Sequence, residues 1–256
     1  MENFLSNIGK YFLEFLSGLG RITIFFIQSI YYCFIPPYYF NIIIRQIIEI
    51  GFFSLPIVGL TAFFIGAVTV LQSSSSGIEL DPSFIIPKVV TIAIIRELGP
   101  ALISLIMIGK IGSSIAAEIG VMRVTEQIDA LKSLNVNPFQ YLVAPRLIAS
   151  IIVFPFFVLC ADLVGIFGGY ITAIVKLNQN PNIYIRNTIN FFHAYDFFIG
   201  LKKAIIFGGI ISIISCYYGY FCKEGAHGVG FATTSTVVLS SVLVILLNYI
   251  ITLIYL

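Results

Sequence analysis

The chain has 256 residues, 59% of them hydrophobic and only 10% charged, with a formal net charge of +2 and a mean hydropathy of +1.02. A soluble domain carries roughly 25% charged residues, so the composition is that of a membrane protein, and its apolar runs of helix-spanning length point to an all-α integral membrane protein. The slight positive charge contains no basic block suited to nucleic acid.

In chain order, Phe4, Ile8, Tyr11, Phe15 and Leu19 recur at helical spacing, while Asn7, Lys10, Glu14 and Arg21 fall mainly elsewhere on the wheel. That pattern predicts an amphipathic helix lying in the membrane interface. The start "MENFLSNIGKYFLEF" has an acid at position 2, no basic region and no small-residue cleavage site. It is neither a secretory signal nor a transit peptide, and insertion is expected where the protein is made, in a bacterium or from an organelle genome. Richness in Ile, Phe, Tyr and Asn without Trp fits AT-rich coding and tips that expectation toward a plastid. Residues 22–40 are more apolar, and Pro36-Pro37 must end or bend any helix there. They read either as a continuation of the interfacial helix or as a short re-entrant piece, so residues 1–41 form an N-terminal segment.

A helix needs ~20 apolar residues to cross ~30 Å of hydrocarbon. Residues 42–256 hold five such spans, over about 42–76, 84–117, 145–176, 201–221 and 232–255. A polar turn from Ser73 to Pro82 joins the first two, 118–143 lies between the second and third, 177–200 contains "NQNPN", and "CKEGAHGVG" precedes the fifth. Eight Lys and Arg fall on the side of the N-terminus and 118–146, against six on the other. This bias makes the 118–146 side cytoplasmic. Cys33, Cys160, Cys216 and Cys222 form no C-x-x-C pair and are expected to pack or face lipid.

The second span contains "IIRELGPALI". Arg96 and Glu97 lie about 12 Å along a helix from Lys88, and as neighbours they point ~100° apart. A charge at membrane depth costs ~2.5–3.5 kcal/mol and normally faces a partner, water or a cavity. Pro100 has no N–H for the Arg96 carbonyl, which predicts a bent, polar, half-open helix of the kind that builds transport sites. The alternative is a helix that starts at Gly99-Pro100 and leaves Arg96 and Glu97 interfacial. Downstream, Gly109, Ser113 and Ala117 form one small-residue line and Gly112, Ala116 and Gly120 another, both suited to close helix packing.

In the 118–143 segment, Thr125 can cap a short helix with Glu126 and Asp129 in its first turns and Lys132 near its end, matching the helix dipole. Val124, Ile128, Leu131 and Leu134 form its apolar face, and Asn135 to Pro138 stop it. Such a helix between two spans suits either docking to a cytoplasmic partner or a plain surface role. No G-x-x-x-x-G-K-[ST] occurs, "GAHGVG" lacks a dinucleotide-site context, and no nucleophile–base signature is present. The chain reads as no enzyme, with no cofactor or metal of its own.

The run "RELGPALISLIMIGKIGSSIAAEIGVMRVTEQIDALKSLNVNPFQYLVAPR" resembles the MlaE family of ABC-transporter permeases, which has plastid-encoded members. The likeness covers about residues 50–256 and includes Leu71-Gln72, Gly168-Gly169-Tyr170 and "GVGFATTSTVV" from Gly228 to Val238. It implies a homodimer of five-span protomers, two copies of a separate ATPase that holds ATP and magnesium, and an MCE-domain protein that exchanges phospholipid with a central cavity. Arg96, Glu97, Pro100 and Lys202 would line the lipid pathway. Glu118, Gly120, Arg123, Thr125, Glu126, Gln127 and Asp129 would couple to the ATPase. Gly109, Gly112, Ser113 and Ala116 would serve helix packing. The membrane would be the plastid inner envelope or a bacterial inner membrane. Asp162 and the doublet Lys202-Lys203 depart from the family pattern. Rival readings are a non-transporting anchor for an MCE-protein assembly and an ion-coupled secondary transporter using Asp162, Arg96 and Glu97.

Overall fold

The computed structural model describes residues 2–75, 82–223 and 225–255, with side chains at 13, 16–75, 83–223 and 225–255. Of the turn predicted from Ser73 to Pro82, residues 76–81 lie outside the described residues, as do the side chains of Phe4, Ile8, Tyr11 and Phe15, while Ser73 to Ser75 and Pro82 are helical. Helix α1 (Glu2–Cys33) is continuous, which resolves residues 22–33 as its continuation rather than a re-entrant piece. It ends just before the Pro36-Pro37 pair that cannot extend it. Phe25 and Ser29 are its buried anchors. The Phe25 ring lies 5.1 Å from that of Phe139 and 5.5 Å from that of Tyr217.

Among the described residues, five helices are long and apolar enough to cross a membrane: α2 (Phe40–Ser75), α3 (Ser83–Val124), α5 (Phe139–Leu177), α7 (Ala194–Tyr220) and α8 (Gly225–Tyr255). Two short helices, α4 (Gln127–Ser133) and α6 (Pro181–Asn190), join them. With 118–124 helical, the polar segment between α3 and α5 is shorter than the sequence suggested. The "GAHGVG" stretch is likewise the start of α8 rather than a loop.

The spans are apolar around most of their circumference, and packing decides which face is buried. On α2, Val58, Ala62, Gly66 and Val70 at four-residue spacing are buried, while Leu60, Phe64 and Val68 stand exposed for lipid. The buried stripe lies on α5. A Cβ on Gly66 would sit 1.8 Å from the Gly165 carbonyl oxygen, so only glycine permits this approach. Helix α5 in turn packs on α7, and α7 on both α3 and α8.

Helix α6 has a local cause in "NQNPN". Asn180 accepts a hydrogen bond at 3.0 Å from the Asn182 N–H, and Pro181 occupies the first turn, where its missing N–H costs nothing. Tyr184 is its buried anchor, and burial pushes that phenol up to about 12. The Asn187 side chain donates to the Ser83 carbonyl at 2.9 Å, tying α6 to the start of α3.

Candidate functional site

Helix α3 is neither broken at Gly99-Pro100 nor begun there. It widens into a π-turn over Ile94–Leu98, where the Gly99 N–H bonds the Ile94 carbonyl, and returns to α-helix over Gly99–Met107. Pro100 explains the widening: it has no N–H for an α-helical bond to Arg96. The freed Arg96 carbonyl instead accepts from Lys203 Nζ on α7 at 3.1 Å. Gly200, one turn earlier on the same face of α7, lies against the other loosened carbonyl. A Cβ there would be 2.6 Å from Ile95 O.

Lys203 is fully buried, and its ammonium spends its donors on Arg96 O, on Glu97 Oε2 at 2.9 Å and on Thr252 Oγ1 at 2.8 Å. Glu97 Oε2 also accepts from Asn248 Nδ2 at 3.1 Å. The Thr252 hydroxyl, already accepting from Lys203, lies 3.0 Å from Glu97 Oε1 and 2.8 Å from the Asn248 carbonyl, and its single proton serves one of them. Thus α3, α7 and α8 are joined by one polar knot inside apolar helices. Removing one partner of such a pair strands the other charge.

Arg96 is placed differently. Its guanidinium reaches Glu97 Oε1 at 3.9 Å and Asp196 Oδ1 at 3.8 Å, and its side chain is 25% exposed. Neighbours on a helix were expected not to face each other, and the long 3.9 Å contact is as near as they come. Both distances exceed hydrogen-bond range, so among the described residues the fork of donors is committed to no acceptor. Arg96 and Lys203 balance Glu97 and Asp196 in charge.

Lys202, expected from the resemblance on this pathway, makes no bond to Glu97 among the described residues. Its ammonium lies 5.3 Å from the centre of the Tyr255 ring. Lys203 takes the position at the knot because it shares a helix face with Gly200. Asp162 is buried on α5, makes no ion pair among the described residues, and has Oδ1 without a hydrogen-bond partner.

At the other end of α3, Glu118 pairs with buried Arg146 at 2.8 Å. Arg146 also donates to Leu142 O at 2.8 Å. The pair closes the base of the α3–α4–α5 connection. Thr125 does not cap α4: its hydroxyl donates back to Val121 O at 2.9 Å, and it ends α3. The N-cap position belongs to Glu126, left-handed at φ 59° and without a side-chain cap bond. Asp129 ties this end together, taking Arg123 at 2.9 Å and Lys132 at 3.1 Å. Those bonds, Lys132 first and then Arg123, hold its carboxyl below the ordinary carboxylate range. Ile128 is buried, but Leu134, expected on the same apolar face, is 73% exposed. Arg123, Glu126, Asp129, Cys222 and Lys223 border an open polar hollow of about 840 Å³.

The two small-residue lines separate as well. A Cβ on Gly112 would meet Ser215 Oγ at 3.3 Å, and one on Gly120 the Cys222 Sγ at 3.5 Å, so the line through buried Ala116 packs on α7 and α8. Gly109 has nothing within 4 Å. Ser113, on that line, bonds back to the Gly109 carbonyl, and neighbouring Lys110 donates to the Phe53 carbonyl on α2.

Five apolar spans, a charged knot across three of them and a short charged helix at the opposite end are the architecture of a transport permease. The family model described as Permease MlaE matches residues 43–254, and the chain belongs to that family. A probable ABC transporter permease protein of Rickettsia bellii is 46% identical over 250 residues, 98% of this chain and 96% of its own length. One from Synechocystis is 37% identical over 206 residues, 80% of this chain and 78% of its own. One from Porphyra purpurea is 40% identical over 194 residues, 76% and 74% respectively.

Proposed function

We propose that this permease moves phospholipid or a related lipid between membranes as a homodimer, driven by a separate ATP- and magnesium-binding ATPase and served by an MCE-domain lipid-binding protein. The carrying observation is the Arg96 guanidinium, whose contacts at 3.8 and 3.9 Å leave its donors uncommitted beside the charge-balanced Glu97–Lys203 pair. A planar guanidinium matches a phosphate bidentately, and the exposed apolar flanks of α2 and α8 suit acyl chains.

Coupling is assigned to the opposite end. The α4 helix with Arg123, Glu126, Gln127 and Asp129 would seat on the ATPase, and the Glu118–Arg146 pair would carry its movement into α3 and α5. With relatives from both a bacterium and a red alga, the membrane would be a plastid inner envelope or a bacterial inner membrane.

Lipid transfer by the reconstituted permease–ATPase complex tests this reading. Arg96→Ala is expected to slow transfer about tenfold or more, the value of a charge-assisted bond, with Arg96→Lys partly active. Unchanged transfer in Arg96→Ala would refute the role of Arg96. Retention of an MCE-domain protein without ATP-dependent transfer would favour a scaffold, and ion-driven uptake by the permease alone a secondary transporter.

A further inference from the structure

Among the described residues, Asp162 is the buried acid of the spans, and the knot does not use it. Its residue is 5% exposed and its Oδ1 has no hydrogen-bond partner. It sits directly against the π-turn: a Cβ on Gly99 would be 2.4 Å from Asp162 Oδ1 and 2.9 Å from the Ile94 carbonyl oxygen. Both acceptor oxygens thus border the space a Gly99 side chain would fill, and a carboxyl that carries a proton there has a carbonyl beside it to receive the bond.

The charged groups of the packed elements are spoken for. On α3, Arg96 lies toward Asp196 and Glu97 pairs with Lys203. On α7, Lys202 lies over Tyr255. The face of α2 against α5 is Val58, Ala62 and Gly66, with no titratable group. An ionised carboxylate there would be buried without a counter-charge, which apolar surroundings strongly oppose. The Ile94 carbonyl accepts the Gly99 N–H in the turn, and a carbonyl oxygen has a second lone pair with which to accept another donor.

We propose that Asp162 is held as a neutral carboxylic acid that donates to the Ile94 carbonyl, and so acts as a positioning residue that fixes the π-turn presenting Arg96 and Glu97. The positioning role rests on the lipid-site reading; the protonation does not. In this arrangement Gly99 is glycine because the carboxyl occupies the space of its side chain, and α5 sets the geometry of a site built by α3, α7 and α8.

Infrared difference spectra of the full-length protein, wild type minus Asp162→Asn at about pH 7, read the protonation directly. A carbonyl stretch of a protonated acid is expected. Bands of an ionised carboxylate alone would overturn the proposal. In the reconstituted complex, Asp162→Asn, which keeps a donor, is expected to transfer lipid within about twofold of wild type, and Asp162→Leu about tenfold more slowly at saturating lipid. Asn as impaired as Leu, or Leu fully active while Arg96→Ala is slowed, would also overturn it. Unchanged transfer in Arg96→Ala would instead sink the lipid-site reading, and the infrared result still decides the state of Asp162.

Discussion

The two charged ends of helix α3 are built on opposite principles. The knot near Arg96 joins residues far apart in sequence, Glu97 with Lys203, Asn248 and Thr252, around an ammonium with no exposure. The cluster near α4 is local: Arg123, Asp129 and Lys132 pair within a few residues, and their side chains are 35%, 52% and 47% exposed. A buried cross-helix network holds a fold in one arrangement, whereas exposed local pairs contribute little to stability. The Arg96 end is therefore suited to present a fixed site, and the α4 end to move and be moved. The Glu118–Arg146 pair is intermediate, with the Arg146 side chain 3% exposed and that of Glu118 46%.

The sharpest way to break this contrast is Lys203→Met. It strands Glu97 and leaves the Arg96 carbonyl without its donor, at a cost of about 3 kcal/mol, the low end for a buried pair because Glu97 is partly exposed. Thermal unfolding of the detergent-solubilised protein would show it, and adding Glu97→Gln should restore much of the loss. Lys202→Met, one residue away, should leave unfolding nearly unchanged. Equal effects at the two lysines would erase the distinction.

Next in size is Arg146→Met, at about 2 kcal/mol because Glu118 retains access to water. Glu126→Gly should have the opposite sign. A left-handed conformation costs a non-glycine residue about 1 kcal/mol, so relieving it at φ 59° should raise stability while lowering ATPase-coupled transfer. A stability loss would mean that the Glu126 side chain makes contacts worth more than its backbone strain.

The smallest effect concerns pH. Lys132 and Arg123 depress the Asp129 carboxyl. The interaction is therefore present above the unfolded value of ~3.9 and lost as pH falls through the lower folded value. ATPase binding should be flat from neutral pH down to about 5, and Asp129→Asn should weaken it throughout without shifting unfolding. A binding midpoint inside that range would assign the titration to another group.

Arg96 and Glu97 were legible in the sequence because charge inside an apolar run must be compensated. Their partners were not. Lys202 and Lys203 are equivalent by composition, and only the phase set by Gly200 against the Ile95 carbonyl selects Lys203. Asn248 and Thr252 carried a signal that went unused: two polar residues at four-residue spacing in an otherwise apolar stretch. The missing N–H at Pro100 predicted a freed carbonyl. It could not tell a bend from a π-turn, because the donor that settles the matter comes from another helix. Thr125 looked like a cap by residue type, yet the helix before it continues far enough to claim its hydroxyl. The spans themselves followed from hydropathy, since their lipid-facing and buried sides are both apolar. Their ends did not, because short polar stretches such as 118–124 remain helical once packed.

The claim on which the rest depends is that Arg96 receives an anionic lipid head group. Mass spectrometry of phospholipid retained by the purified protein tests it most directly, with Arg96→Ala compared against wild type and Lys202→Ala. Loss of retained phospholipid in Arg96→Ala, with Lys202→Ala matching wild type, is the predicted result. Equal phospholipid in Arg96→Ala and wild type would contradict it.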